Sequence, residues 1–233
     1  MQIDILASGS SGNCYHISNG STSLLLDCGI GIKTLQKGIN FKLSDIAGCL
    51  LTHEHIDHAK TATTLIKKGI DIYTSQGTAT ACNLYSHRLH IVTPLQAFKI
   101  DTLHIMPFPI THDAQEPLGF FITCFKTNHK LLYFTDTGYL RYRFAGITHM
   151  LAECNHNKNI LQDKLKAKEI NKPAAKRIIQ NHMSIDTLET MLRANDLKDL
   201  QQIYLIHISK RHGDPDQFKR RVEQITTAQV HVC

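Results

Sequence analysis

Nowhere in the 233 residues does an apolar run approach the length that crosses a bilayer. The opening, MQIDILASGS, lacks a basic stretch leading into an apolar one, so no secretory signal is expected. A cytoplasmic protein that does not engage membranes is therefore the expectation. The seven cysteines are odd in number and none falls in a C-x-x-C pair. That pattern gives no support to a zinc knuckle, and buried, reduced thiols are expected. Internal repeats and low-complexity linkers are also missing, so residues 1–233 are expected to form one domain. With 42% hydrophobic and 20% charged residues, the chain has the composition of an ordinary globular protein and is long enough to bury a core without staples.

What charge there is lies unevenly. From Lys158 onward, 14 Lys/Arg stand against 9 Asp/Glu, a net of +5 out of +6 for the whole chain. A basic final third suits an anionic partner such as a nucleic acid. The element pattern is mixed. Ile3–Ala7, Cys14–Ile17 and Ser23–Asp27 read as strands, the last two joined across Asn19-Gly20 as a hairpin. Ile30–Lys37 reads as a helix, Ile46–Leu51 as a strand, and Ala59–Lys68 as a helix stopped by Gly69. Strand 70–74, helix 77–86 and strand 89–93 follow. Strands at 98–100, 103–110, 119–125, 130–135 and 150–154 come next, β-branched and aromatic with few helix signals between them. The final third predicts helices over 159–167, 174–180, 184–194 and 216–226, with Ser184 or Asp186 as an N-cap and a strand at 201–206. Strands and helices thus come in two similar batches, an α/β chain of two packed sheets with helices outside.

One stretch stands out against this background: Leu50-Leu51-Thr52-His53-Glu54-His55-Ile56-Asp57-His58-Ala59-Lys60. His53, His55, Asp57 and His58 crowd four metal-capable groups into six residues just past an apolar strand. In an extended segment His53 and His55 point the same way, and Asp57 and His58 follow on a turn where they can face a second ion. The zincin pattern H-E-x-x-H, which puts both histidines on one helix face, is absent. Three later donors also sit just past apolar strands: His112, Asp136 and His207. The grouping expected is His53, His55 and His112 on one ion, Asp57, His58 and His207 on the other, and Asp136 bridging with its two oxygens. Two divalent metals follow, zinc for an imidazole-rich set, with manganese or iron as alternatives.

Other polar residues frame that set. Asp27, ending an apolar strand, is expected to orient a ligand histidine or the reacting water. The small-residue loop Ser8–Asn13 suits close approach of a phosphate, which makes Ser10 and Asn13 substrate-binding candidates. Lys210 and Arg211, with Lys219, Arg220 and Arg221, are candidates for contacts to a phosphate backbone. Glu153, Asn155 and His156 follow one more apolar run, and whether they share the cleft is left open.

The motif His53-Glu54-His55-Ile56-Asp57-His58 resembles the metallo-β-lactamase superfamily signature H-x-H-x-D-H, and His112, Asp136 and His207 fall where the remaining ligands of that superfamily belong. The resemblance covers nearly the whole chain. It is closest to YycJ/WalJ-type metallohydrolases through SGSSGNCY, LLLDCG, HDAQEPLGF, TDTGY, ECNHN and HMS. It implies an αββα sandwich with the metals at one edge, and an activity similar to DNA exonucleases, ribonuclease Z and phosphodiesterases. It also places His182 in the cleft, where an imidazole can hold a phosphate oxygen or protonate a leaving oxygen. Asp57, besides its ligand role, and His182 are thus the catalytic candidates. Departures are Asn181-His182-Met183-Ser184 where the family tends to Gly-His-Leu-Ser, and Lys210-Arg211-His212 where it carries asparagines.

The expectation is a dinuclear-metal phosphodiester hydrolase, a DNA exonuclease-like enzyme that attacks with a metal-activated water. Its partner is a nucleic acid or another phosphodiester, and homo-oligomerisation is left open. The alternatives are a small-substrate phosphodiesterase opening cyclic nucleotides, a thioester or lactone hydrolase, and a non-catalytic metal-binding domain.

Overall fold

Asn19-Gly20 turns the chain as its residues dictate. Strands β1 (Gln2–Ala7), β2 (Cys14–Ser18) and β3 (Ser23–Leu26) form an antiparallel meander in which Ser18 pairs with Ser23 across the turn. Gly20 takes the positive φ of 86° that such a turn needs. The computed structural model describes residues 1–233, which gather into two compact units, 1–109 with 114–129, and 110–113 with 130–233.

In the first unit the meander is followed by α1 (Ile32–Gly38), β4 (Ile46–Leu50), α2 (Ile56–Ala59), α3 (Ala62–Lys67), β5 (Ile72–Thr74), α4 (Gln76–Ala81) and β6 (Leu89–Ile91). The sheet runs β1 to β6 in sequence order, and β3, β4, β5 and β6 are parallel. Strands β7 (Phe98–Ile100), β8 (Leu103–Pro109) and β9 (Leu118–Cys124) pair antiparallel. Leu25, Cys49 and Leu51 pack with Leu35 of α1 and Ala62 and Leu65 of α3, all buried. At about 1.5–3 kcal/mol for each buried leucine, this stripe fixes the helices on the sheet.

The helix expected over 59–68 begins earlier, at Ile56, and is broken between α2 and α3. The cause is Thr61: its backbone N–H and its hydroxyl both donate to the Cys28 carbonyl, at 3.1 and 2.9 Å. Asp57 and His58 sit on the single helical turn that His55 starts, in keeping with the turn expected there. Helix α4 also stops early, at Ala81, with Asn83 in the left-handed region at φ 52°.

The second unit is built on four parallel strands, β10 (His129–Phe134), β11 (His149–Glu153), β12 (Gln202–Ile206) and β13 (Gln229–Val232). β11 is buried along its whole length, as a parallel strand covered on both faces should be. Helices α5 (Lys158–Lys166), α6 (Lys172–Asn181), α7 (Ile185–Ala194) and α8 (Pro215–Glu223) each start on a polar cap: Asn157, Asn171, Ser184 and Asp214 accept from backbone N–H groups of the first turn. Ser184, not Asp186, is the cap of α7. The sequence pattern did not anticipate β13, whose four residues gain their partner only through β12. No helix is long and apolar enough to cross a membrane.

Candidate metal centre

Parallel strands place their carboxyl ends along one edge, where the chain must turn and where polar groups from neighbouring strands come together. In the second unit β10, β11 and β12 are adjacent, and Asp136, Glu153 and His207 stand at or just past their carboxyl ends. Asp136 and His207 both adopt the left-handed conformation, at φ 50° and 54°. Asp27 does the same after β3, at φ 56°. Such backbone costs energy for a residue with a Cβ and persists only where the surroundings impose it, which is typical of functional sites.

Asp136, Glu153, His182 and His207 offer donor atoms that all lie within 4.8 Å of one another, and the two acids are buried. His182, the residue that ends α6, places Nδ1 2.8 Å from Glu153 Oε1 and 3.1 Å from Asp136 Oδ1. His207 Nδ1 stands 3.1 Å from each of the same two oxygens. The other oxygen of Glu153 accepts from the backbone N–H of Thr137 at 2.9 Å and of Met183 at 3.1 Å. His112 lies beside this group, its ring edge-on to that of His182 with centroids 5.6 Å apart, and its Nε2 is 3.3 Å from Asp113. Asn155 donates to the His207 carbonyl at 2.8 Å and holds the loop that carries it.

The electrostatics follow from burial and pairing. Burial alone pulls the His182 ring towards neutrality, but the Glu153 charge and hydrogen bonds to Asp136 and Glu153 outweigh it and raise its pKa to about 10. Burial likewise works against the Glu153 carboxylate, yet the His182 charge and the hydrogen bonds from His182 and His207 hold its pKa below the ordinary value. His112 is shifted down, chiefly by burial.

In the first unit the dense motif forms a second cluster. His53 Nε2 is 3.1 Å from His55 Nδ1, the His53 and His58 ring centroids are 4.2 Å apart, and Asp57 Oδ2 is 3.6 Å from His58 Nε2. Asp27, fully buried, holds this group from behind: it accepts from His58 Nδ1 at 2.6 Å, from the Thr52 N–H at 2.8 Å and from the Thr52 hydroxyl at 3.0 Å. With its hydrogen given to Asp27, the Thr52 oxygen accepts from His53 Nδ1 at 2.9 Å. Both rings thus have Nδ1 engaged, which sets the tautomer and directs metal binding to Nε2. Gly29 is required beneath the turn because a Cβ there would collide with the Asp57 carbonyl.

The remaining expected residues divide. Ser10, Lys210 and Arg211 are exposed on loops. Asn13 is employed differently from the expected substrate contact. It is fully buried, accepts from Gly9 N–H at 2.9 Å, and its amide nitrogen lies 3.0 Å from His58 Nε2 and 3.3 Å from the Asp57 carbonyl. Arg221 is spent on Glu189 and Asp186, at 2.7 to 2.8 Å, and braces α8 on α7. Glu153 is the functional residue that sequence reading left open. The signal was present, an acid closing an apolar strand as Asp136 and His207 do.

His156, three residues further on, is fully buried, and neither ring nitrogen meets a protein partner. Burial lowers its pKa to about 4. The unfolded chain takes up this proton near pH 6.5 while the folded chain resists until about pH 4, so the residue withdraws stability as pH falls through that window, up to about 3 kcal/mol. Replacing it with leucine is expected to make the loss of stability between pH 7 and pH 4.5 smaller by about 2 kcal/mol, as measured by denaturant unfolding at both values. An identical pH dependence in the variant would refute this.

Comparison with known proteins gives this geometry a setting. Residues 22–208 match a family model described as the beta-lactamase superfamily domain. The chain is 33% identical over 227 residues to the exodeoxyribonuclease WalJ of Streptococcus pneumoniae, covering 90% of this chain and 82% of that protein. It is 26% identical over 240 residues to the exodeoxyribonuclease YycJ of Bacillus anthracis, covering 97% and 89%. Among solved structures it is similar to the metallo-β-lactamase fold protein YhfI of Bacillus subtilis, with a TM-score of 0.73 and 17% identity over 99% of this chain and 95% of that one. The fold is the α/β metallo-β-lactamase fold that the family resemblance implied, and its two sheets with helices are what the element pattern predicted.

Proposed function

Because this chain belongs to the metallo-β-lactamase superfamily, in its WalJ/YycJ-like branch, we propose that it is a metal-dependent phosphodiester hydrolase acting on DNA as an exonuclease. The observation that carries this reading is the second unit's cluster, in which two buried acids and two histidines bring their donor atoms within 4.8 Å at the carboxyl ends of parallel strands. Within that cluster Asp136 and His207 are the groups that fit a divalent metal, and Glu153 and His182 stand beside them as the orienting acid and the proton carrier.

The proposed ligands are His53, His55 and His112 for one ion and Asp57, His58 and His207 for another, with Asp136 shared. Two such ions, zinc before manganese or iron, would supply a Lewis acid for a phosphate oxygen and a water acidic enough to react near neutral pH. The chain's own residues do the rest. Asp27, the Thr52 hydroxyl and Glu153 accept from Nδ1 of His58, His53 and His207, so each ring offers Nε2 as its ligating nitrogen. Asp57, partly exposed beside His58, is the base that takes the proton of the attacking water. His182, held at Nδ1 by Glu153, delivers a proton from Nε2 to the departing sugar oxygen. Ser10, Lys210 and Arg211 are proposed to meet the phosphate backbone. Seven cysteines without a disulfide fit work in the reducing cytoplasm.

The test combines metal counting by mass spectrometry with assays on 5′-phosphorylated DNA, RNA and cyclic nucleotides. About two ions per chain are expected, together with DNA cleavage that chelator removes and added metal restores. Substoichiometric metal after reconstitution, or no phosphodiester cleaved, would overturn the reading.

A further inference from the structure

Of the six residues from His53 to His58, four are proposed ligands and one, Glu54, turns aside to accept the Gln115 N–H at 2.8 Å. The sixth is Ile56, and it is 72% exposed. Its backbone is fixed from both sides. His55 opens the turn, and its carbonyl accepts from the N–H groups of His58 and Ala59 at 2.9 and 2.8 Å. The Asp57 carbonyl accepts from the Asn13 N–H at 2.7 Å, and the His58 carbonyl from the Cys28 N–H at 2.8 Å. Ile56 is thus held about 3.8 Å, Cα to Cα, from His55 and from Asp57, both proposed ligands.

A single exposed apolar residue is ordinary on a protein surface. Here neither the helix nor the solvent asks for one. Ile56 is the first residue of α2, a position that proline or an acidic residue serves better and where a β-branched side chain gains nothing. A residue that breaks local rules inside a site is best explained by what binds there. The chemistry of a phosphodiester says what that is. Each bridging oxygen of the phosphate carries a sugar, so the first carbon groups beside a phosphate held at these ligands belong to the sugar, and the bases lie further off. An apolar side chain packed there accepts the C2′ methylene of deoxyribose without loss. Against ribose it strips water from the 2′-hydroxyl and returns no hydrogen bond.

We propose that Ile56 packs against the sugar beside the scissile phosphate and selects deoxyribose over ribose. This rests on the nuclease reading above and names the group that is read: the sugar, not the base. The preference is therefore independent of base sequence, because every deoxynucleotide presents the same C2′ methylene.

The experiment compares kcat/KM of the metal-loaded protein on 5′-phosphorylated DNA and on the same oligonucleotide carrying ribose, or 2′-fluoro-deoxyribose, at the two nucleotides nearest each end. Deoxyribose is expected to be favoured over ribose about tenfold or more, with the fluoro sugar, which lacks the hydroxyl proton, siding with deoxyribose. Ile56→Val and Ile56→Thr place side chains of the same shape that differ by one hydroxyl. Ile56→Val should keep the preference within about twofold, whereas Ile56→Thr, which gives the 2′-hydroxyl a partner, should lower it about fivefold or more. Any disturbance of the neighbouring ligands falls on all the substrates and cancels from the ratio. Equal turnover of deoxyribose and ribose by the wild-type protein, an unaltered ratio in Ile56→Thr, or an equal fall in both variants overturns the sugar contact and leaves the nuclease reading standing. So does a fluoro sugar cleaved as slowly as ribose, which would make size and not polarity the discriminant. Failure of the wild-type protein to cleave any phosphodiester sinks the nuclease reading, and the sugar contact with it.

Discussion

Asp136→Asn is expected to lower phosphodiester hydrolysis by about 10³-fold or more while the protein stays folded. The charge stabilisation that a shared carboxylate and its ions give a transition state is worth several kcal/mol, and each ~1.4 kcal/mol is a factor of ten in rate. Asparagine is the instructive replacement. Asp136 is in the left-handed region at φ 50°, which asparagine tolerates and alanine does not. Its amide also keeps an oxygen for the ring nitrogens of His182 and His207, both 3.1 Å from Oδ1 in the native protein. What disappears is the negative charge and the second carboxylate oxygen, which the proposed ligand set shares between two ions. Bound metal should fall with activity, while the circular dichroism spectrum and the unfolding midpoint change little. His55→Ala, at an only partly buried position on the other cluster, should give the same loss. Turnover at the wild-type rate in either variant would end the dinuclear reading.

Several of these features could be read from the residues because they are local. Four donors in six residues leave little room for a packing explanation, and a donor closing an apolar strand, as at Asp136 and His207, declares itself by position. Glu153 obeys the same rule, but its position alone left a cleft role open; the closeness of Thr137, His182 and His207 gives it one. What escaped depended on distant partners. The break before α3 comes from the Cys28 carbonyl, 33 positions away from Thr61, and no helix propensity contains that information. Asn13 read as an available loop amide, whereas its side chain ties residues 9–13 to the turn that carries Asp57 and His58. β13 is four residues long and exists because β12 offers it an edge. In each case a long-range contact decided what a short window of sequence could not.

Glu153 and His182 make the second large prediction, and here the leaving group is the diagnostic. If His182 protonates the departing oxygen, His182→Asn should lower kcat on DNA by about 10²–10⁴-fold, the usual scale of general acid catalysis. An aryl phosphodiester with a nitrophenolate leaving group departs without a proton and should lose far less. Glu153→Gln keeps an oxygen for the N–H groups of Thr137 and Met183, which bond the native carboxylate at 2.9 and 3.1 Å, but removes the charge that favours the protonated ring. It should lower the DNA rate about 10–100-fold, spare the aryl ester in the same way, and move the basic limb of the pH–rate profile to lower pH, because less of the ring stays protonated. Combining the two changes should cost little more than His182→Asn alone, since Glu153 acts through the ring it holds. A merely structural pair would behave otherwise: both substrates would suffer alike, the pH profile would keep its shape, and the two losses would add.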